Sequence, residues 1–480
     1  MRTFPLLTLA LLAGCTVGPD YQRPAAPGAT AARWTEPADS GAIDPVWWRQ
    51  FDDPQLTALI ERALTSAPDV REAEARLREA RASRDAAAGG ALPTLSAKGS
   101  VTENRLSNNG QIPLGQIPFP GFSRDLSLFD LGFDASWEID LWGRQTRRVE
   151  AATARAEAAE AGRRDAMVML SAEIARNYMD LRAAQADAAS LAAIAAADAD
   201  LSRLTRLRFD AGEASRLDRD TAESAARSSA AAVPDARAAA SAAAYRIAAL
   251  VGAPPEEIAP PLLAVPAPLP ASPDTILVGI RSDLLERRPD IRRAERELAA
   301  ATADIGVAKA DLFPRVSLLG SIGQQARTAG DLPDSGSTRY QFGPALSWPI
   351  FAGGTIRANI RAADARSETA AARYEKAVFG ALSDSEAAIN RFLAARTAQS
   401  EAAAAFAAQS SAYALADQRA TRGEDDRLTL LRAARARLAT QRAATAASRA
   451  KAQAAVALFK ALGGGWRGEG EALAQGQAPR

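Results

Sequence analysis

Few residues of this chain can carry covalent chemistry, and one cysteine stands out among them. The 480-residue sequence has no histidine and a single cysteine, Cys15. Without histidine there is no Ser-His-Asp triad, no Cys-His pair and no histidine metal ligand. A lone cysteine excludes an intramolecular disulfide and a cysteine cluster. Carboxylate, lysine or tyrosine chemistry remains, but no convergent polar cluster supports it. We therefore expect no enzyme, no catalytic residue, no metal site and no cofactor.

The surroundings of Cys15 predict that this cysteine carries a lipid. Arg2 precedes an apolar run, FPLLTLALL, that is too short to span a bilayer. The run ends in LAGC, residues 12–15, which resembles a bacterial lipobox, so residues 1–14 read as a signal peptide. Acyl chains then partition into a leaflet at about 0.8 kcal/mol per CH₂. The alternative is an ordinary signal peptide with a chance cysteine.

The composition indicates a folded protein without a basic surface for binding nucleic acid. The formal net charge is +1, and 24% of the residues are charged while 48% are hydrophobic. A nucleic-acid-binding surface needs a clustered basic excess. Here arginine alternates with glutamate and aspartate, which is the pattern of solvated helix faces.

The elements of the chain are duplicated. Pro68 recurs as Pro289, an offset of 289 − 68 = 221, and Trp137 recurs as Trp348, an offset of 348 − 137 = 211. The ten-residue difference places an insertion in the Gly-, Pro-, Asn- and Ser-rich loop 104–122. The predicted segments are an extended tether 15–43, a first repeat 44–252, a linker 253–282, a second repeat 283–466 and a disordered tail 467–480.

Each repeat contains stretches in which apolar and polar residues alternate, as in a strand with two different faces. Transmembrane β-strands need only about 9–11 residues. Trp137, Tyr340 and Trp348 lie near strand ends, where aromatic side chains suit the membrane interface. A soluble sheet with one buried face gives the same alternation. The stretches are 131–140, 340–348, 316–322 and, more weakly, 95–101, within predicted hairpins 92–140 and 314–350.

The number of strands adds a constraint. Four strands cannot close a membrane barrel, since the smallest have about 8. An open edge in lipid leaves backbone N–H and C=O groups unsatisfied. If these strands lie in a membrane, several chains must share one barrel, and three chains would supply twelve strands.

Long stretches rich in Ala, Arg, Glu and Leu and free of proline predict long helices. Residues 146–209 cover 64 residues, or about 96 Å of helix, and their counterpart is 355–420. Each is followed by a glycine, Gly212 or Gly423, and then by a return helix. Helices of this length need neighbours along their length, as in coiled coils. A bundle of long helices without a channel is the alternative.

Short motifs accompany these elements: CTVGPDYQRP and WWRQFDDPQL near the start, and RPDIRRAE, WPIFAGG and LGGGW in the second repeat. Together the motifs and elements resemble the TolC-like outer membrane factors, in particular the NodT-type outer membrane lipoproteins of RND efflux systems. The resemblance runs from Cys15 to Trp466. It implies a mainly α protein with a small β part. Long antiparallel helices would form a trimeric α-barrel tunnel, and four strands per chain a shared 12-stranded transmembrane β-barrel.

The resemblance also implies a function. The chain would be the outer membrane exit channel of a tripartite efflux pump, lipid-anchored and extending into the periplasm, that passively conducts drugs or other small toxic compounds. Implied partners are two further copies in a homotrimer, a periplasmic membrane-fusion adaptor, an inner-membrane RND transporter and outer membrane lipids, but no nucleic acid. Two alternatives stay open, a type I protein-secretion channel and a periplasmic structural lipoprotein without a channel.

By the same resemblance, a periplasmic gate lies where the long helices turn. Leu428 matches the apolar constriction, whereas Arg432 stands where the family commonly has an acidic residue. Asp425 and Asp426 supply carboxylates nearby, and symmetry copies around a narrow axis would tune ion selectivity. A solvated charge cluster at a helix turn is the alternative. The residues expected at the helix turns and adaptor contact are Gly212, Glu213, Gly423 and Glu424.

Overall fold

The computed structural model describes residues 16–25, 34–37, 39, 41–107 and 124–466. Within them the chain is mainly helical with one four-stranded sheet, which confirms the predicted fold class. The helices are α1 Pro54–Ser66, α2 Pro68–Gly89, α3 Arg144–Asp210, α4 Arg216–Val251, α5 Pro255–Ala264, α6 Arg281–Arg287, α7 Pro289–Ala310, α8 Thr355–Thr421 and α9 Arg427–Ala461. The strands are β1 Thr94–Arg105, β2 Asp125–Ile139, β3 Arg315–Ala326 and β4 Thr338–Ser347.

The two repeats fold into the same series of elements. Helices α2 and α7 each have 22 residues, and α3 and α8 each have 67. The turns after α3 and α8 also match. The Glu213 N–H donates to the Arg208 carbonyl at 2.7 Å, and the Glu424 N–H donates to the Arg419 carbonyl at 2.9 Å. The offset of 211 residues therefore relates backbone hydrogen bonds as well as residue types.

The four strands form one antiparallel sheet in the order β1-β2-β3-β4. Leu95 pairs with Ala135 in the first hairpin. Offsets of 221 and 211 carry this pair onto Val316 and Leu346, which pair in the second hairpin. The hairpins thus share one register, and the pairing of β2 with β3 joins the repeats.

The longest helices are α3 and α8, each about 100 Å at 1.5 Å per residue. Both begin and end within one or two residues of the stretches expected from their composition. Among the described residues, no helix combines the length and the apolar character needed to cross a membrane.

The chain forms two compact units, and each unit draws on both repeats. The first unit comprises Met1–Arg23, Arg78–Ala158 and Glu295–Ala372 and holds the whole sheet. The second comprises Pro24–Leu77, Ala159–Ala294 and Arg373–Arg480 and holds both helix turns. In the second unit the buried rings of Trp47 and Phe459 stack with centroids 5.1 Å apart.

Candidate functional site

One face of the sheet is apolar and exposed. Leu131 and Phe133 of β2, Ile322 of β3 and Phe342 of β4 all project from this face, and Phe342 is 77% exposed. Phe133 lies directly opposite Ile322, so the apolar side chains form a continuous surface across neighbouring strands. A contiguous exposed apolar surface is typical of a site that contacts a membrane or a protein partner.

The three aromatics predicted for a membrane interface are on this sheet or at its margin, and two of them are held alike. The Trp137 indole donates to the Ala91 carbonyl at 2.9 Å. The Trp348 indole donates to the Leu312 carbonyl at 3.0 Å, which is the same bond in the second repeat. Tyr340 on β4 is exposed. A partly exposed ring with one satisfied polar end suits an interface between water and hydrocarbon.

The opposite face of the sheet is polar and carries charge pairs. The Asp130 carboxylate accepts from Arg339 Nε at 2.9 Å and from Gln325 Nε2 at 2.8 Å. Lys98 pairs with Asp134 at 2.7 Å. The alternation in the sequence placed Asp134 opposite the apolar side chains. Sequence reasoning missed the Asp130–Arg339 pair, because 209 residues separate its members and no local signal joins them.

Two glycines give Arg339 its path to Asp130. Gly132 and Gly323 lie opposite each other in the β2–β3 ladder. A Cβ atom at Gly132 would lie 2.7 Å from the Ile322 carbonyl oxygen and 3.4 Å from Arg339 Nη2. Because both positions lack a side chain, the Arg339 guanidinium can extend from β4 across β3 to the Asp130 carboxylate on β2.

The helix turns are closed by the four residues predicted for them. Gly212 and Gly423 have φ angles of 79° and 77°, the left-handed conformation that favours glycine after a helix. Glu213 and Glu424 follow, and their N–H groups bond back to the helix. Their carboxylates lie 3.8 and 3.9 Å from the arginines Arg208 and Arg419.

Both predicted gate aspartates are engaged within the second turn. Asp425 pairs with Arg419 Nε at 2.9 Å. Asp426 is the N-cap of α9, where it accepts from the Thr429 N–H at 2.8 Å and the Thr429 hydroxyl at 2.7 Å. These bonds from Thr429 hold the pKa of Asp426 below its usual range. The carboxylates of Asp425 and Asp426 therefore stabilise the turn in addition to giving it negative charge.

Leu428, the apolar residue predicted at the gate, is less exposed than its counterpart in the first repeat. Leu428 on the first turn of α9 is half-buried, whereas Leu217, 211 residues earlier, is 76% exposed. Arg432, one helical turn after Leu428, is exposed, and its charge contributes to the lowered pKa of Asp426. The charge of Arg208, at the end of α3, contributes to the same shift.

A row of ion pairs joins α3 to α9 in the second unit, and sequence reasoning missed it. Arg442 Nε lies 2.6 Å from Asp187, and a second hydrogen bond from its Nη2 spans 3.2 Å. Asp180 and Asp187 are seven residues apart on α3, and so are Arg442 and Arg449 on α9. This matched spacing is the only feature of the sequence that indicates the pairing. The row comprises Asp180–Arg449 at 3.8 Å, Asp187–Arg442 at 2.6 Å and Asp198–Arg435 at 3.3 Å.

The segment that follows Cys15 is extended and docked in the first unit. Cys15 itself lies outside the described residues. The Val17 N–H donates to the Trp142 carbonyl at 3.1 Å. The Arg147 side chain, almost fully buried, donates to Asp20 at 2.5 Å. The start of the predicted tether is therefore held against the junction between β2 and α3.

Comparison with known proteins identifies the family to which this architecture belongs. The family model described as outer membrane efflux protein matches residues 59–253 and 280–464. The chain is 34% identical to nodulation protein T of Rhizobium leguminosarum bv. trifolii over 81% of this chain and 80% of that protein. It is 32% identical to the solvent efflux pump outer membrane protein SrpC of Pseudomonas putida over 97% and 98%. The solved outer-membrane channel OprN aligns with a TM-score of 0.82 and 38% identity, covering 94% of this chain and all of that one.

Proposed function

Since this chain belongs to the outer membrane efflux protein family, we propose that it is the outer membrane exit channel through which a tripartite pump expels drugs or other small toxic compounds. The observation that carries the proposal is the sheet, which has an exposed apolar face for lipid and a charged face for water. A solvent efflux pump protein similar over nearly its whole length supports small apolar cargo.

Three copies form the working channel. One chain supplies four strands, whereas the smallest closed membrane barrels have about 8. Three sheets together give a twelve-stranded barrel with the apolar face toward lipid and the Asp130–Arg339 pair toward the lumen. Helices α3, α4, α8 and α9 of the three chains form the tunnel in the periplasm. Acyl chains on Cys15 add an anchor beside the barrel.

The gate lies at the turn between α8 and α9. Asp425 and Asp426 are held within the turn, so Leu428 and Arg432 are the side chains left to narrow the tunnel. Apolar constrictions exclude water and ions, and rings of charge select among ions. The turns at Gly212–Glu213 and Gly423–Glu424 contact a periplasmic membrane-fusion adaptor. Its binding, together with an inner-membrane RND transporter, opens the gate, and the energy for transport comes from that transporter.

Retention of dyes and antibiotics tests this function. A strain without the gene should retain more of a fluorescent dye and become more sensitive to antibiotics. The intact gene should restore export, whereas a variant in which a Gly-Ser loop replaces 419–429 should insert in the membrane without restoring it. Normal dye retention together with loss of secreted proteins would instead favour protein export.

A further inference from the structure

Four helices of the second unit, α3, α7, α8 and α9, border a cavity of about 660 Å³. Pockets that bind small molecules commonly have volumes of about 300–1,000 Å³. Among the described residues that line this cavity, basic side chains outnumber acidic ones. The basic residues are Arg288, directly before α7, Arg293 in α7, Arg391 in α8 and Lys460 in α9. The acidic residues are Asp165 in α3, Asp290 in α7 and Asp384 in α8. The cavity therefore favours a ligand with negative charge.

The first repeat has no basic side chain at the four equivalent positions. Offsets of 221 and 211 map the three arginines and the lysine onto Ala67, Glu72, Asp180 and Ala249. The neighbouring Pro289 and Asp290 recur as Pro68 and Asp69, so the same segment is otherwise preserved. Because both repeats fold into the same series of elements, that series does not require the basic side chains. Their clustering around one cavity indicates a role specific to the second repeat.

Two of the basic side chains already have partners. Arg288 donates to Asp290 at 2.7 Å and to the Ala461 carbonyl at 2.9 Å, so it supports the wall of the cavity. Arg293 lies 3.6 Å from Asp165, a distance at which the charges attract each other without a hydrogen bond. The Arg293 guanidinium therefore keeps N–H donors for a ligand.

The side chains of Arg391 and Lys460 differ from these two, because they have no partner. Within the described ranges of the chain, neither forms a hydrogen bond or lies within 4.0 Å of a carboxylate oxygen. Lys460 is nevertheless half-buried. Like charges that line one cavity repel each other, and a bound anion would offset this repulsion.

We propose that the cavity binds a small oxyanion, a solute bearing a phosphate or carboxylate group, held by Arg391, Lys460 and Arg293. Guanidinium groups form bidentate hydrogen bonds with both kinds of anion, and an ammonium group adds three donors. The three side chains belong to α8, α9 and α7, so the ligand links three helices. This site is independent of the proposed passage of drugs through the channel.

Asp165 competes with such a ligand for Arg293. Burial and the nearby Asp290 carboxylate raise the pKa of Asp165, so its negative charge is disfavoured in this cavity. The positive charges of Arg293 and Lys460 act in the opposite direction, and both side chains therefore lie within electrostatic reach of Asp165. A neutral residue at 165 should free Arg293 and strengthen binding, whereas the loss of Arg391 or Lys460 should weaken it.

Calorimetric titration of the purified full-length protein in detergent tests the site. Sodium phosphate and sodium succinate are the two probes, and sodium chloride keeps the ionic strength constant because salt screens charge. Lys460→Gln and Arg391→Gln should each weaken binding at least about tenfold, since a hydrogen bond to a charged group contributes about that factor or more. Asp165→Asn should tighten binding about twofold or more, on the scale of a partly exposed ion pair.

Arg227→Gln, at an exposed arginine of α4, is the matched control and should bind the probes as the wild type does. Binding of phosphate alone would identify a phosphate-bearing ligand, and binding of succinate alone a carboxylate-bearing one, and either supports the site. Opposite effects of Asp165→Asn and Lys460→Gln exclude general unfolding as their cause. The proposal is overturned if neither probe binds, if Arg227→Gln weakens binding as much as Lys460→Gln does, or if Asp165→Asn does not tighten it.

Discussion

The hydroxyl of Tyr21 donates a hydrogen bond of 2.6 Å to Glu295, a side chain 274 residues later that is only 1% exposed. The guanidinium of Arg296 lies 5.3 Å from the centre of the Tyr21 ring. Burial and the bond to Glu295 both raise the pKa of Tyr21, so the phenol stays protonated and donates throughout the physiological range. Glu295 thereby fixes the chain that follows the predicted lipid attachment.

Replacing Tyr21→Phe should release this N-terminal segment. The buried carboxylate loses a donor, which costs about 1–3 kcal/mol, so local opening becomes about fivefold or more frequent. The amide of Val17, bonded to the Trp142 carbonyl, reports this opening by hydrogen exchange. Tyr245→Phe, at an exposed ring in α4, is the matched control and should leave Val17 unchanged. Equal protection of Val17 in wild type and Tyr21→Phe would refute the role of the bond.

Leu428→Ala should widen the gate. Removing three carbons from each of three copies enlarges an apolar constriction, so single-channel conductance in planar bilayers should rise. Leu217→Ala is the matched control at the equivalent position of the first repeat, and it should leave conductance close to wild type. A gate formed by the first turn would reverse the two results.

The Arg432→Ala channel should also leak ions. Here the cause is the loss of a positive charge rather than the loss of apolar side-chain volume. Removing three positive charges near the constriction lowers the barrier to cations, and the effect should shrink as salt rises because screening shortens the reach of charge. Arg432→Lys keeps the charge and should remain closed. Unchanged conductance in both Leu428→Ala and Arg432→Ala would place the gate elsewhere.

The N-cap of α9 should depend on pH. Thr429 holds the pKa of Asp426 below its unfolded value, so the charged carboxylate stabilises the turn above about pH 4 and this contribution is lost as pH falls below that value. Hydrogen exchange at the start of α9 should therefore accelerate in acid. Asp426→Asn still caps the helix but cannot titrate, so it should flatten this pH dependence, whereas Asp426→Ala should speed exchange at every pH. A wild-type profile in Asp426→Asn would argue against the cap as the titrating group.

The charge pair on the polar face of the sheet should set ion selectivity. Arg339→Gln leaves the Asp130 carboxylate uncompensated in each copy, so the channel should become more selective for cations. Asp130→Asn leaves Arg339 uncompensated and should shift selectivity toward anions. Reversal potentials across a salt gradient measure both. Shifts of the same sign, or none, would show that this face does not line the conducting path.

The ion pair between Arg442 and Asp187 should help to hold α9 against α3. Both side chains are about one-third exposed, so the pair contributes only about 0.5–1 kcal/mol. Arg442→Glu places two carboxylates together and should raise open-channel events, and adding Asp187→Arg should restore the closed state. A double variant no better than the single one would mean that this pair does not restrain the helices.

The sequence by itself determined the elements and their duplication. Proline at the first position of α2 and α7, glycine at 212 and 423, and alternation along the strands all act on residues a few positions away. Local pattern therefore suffices to place these elements. The offset between Pro68 and Pro289 likewise needed no structure. From these features the mainly helical fold, the four strands and the two turns follow.

Tertiary structure alone decided which distant residues meet. Strand order places Arg339 beside Asp130, and two glycines open the path between them. Leu217 and Leu428 occupy equivalent places in the sequence pattern, yet Leu217 is exposed and Leu428 is half-buried. Pairs of this kind depend on how elements separated by hundreds of residues pack, and the interactions that specify a local helix or strand carry no record of that arrangement.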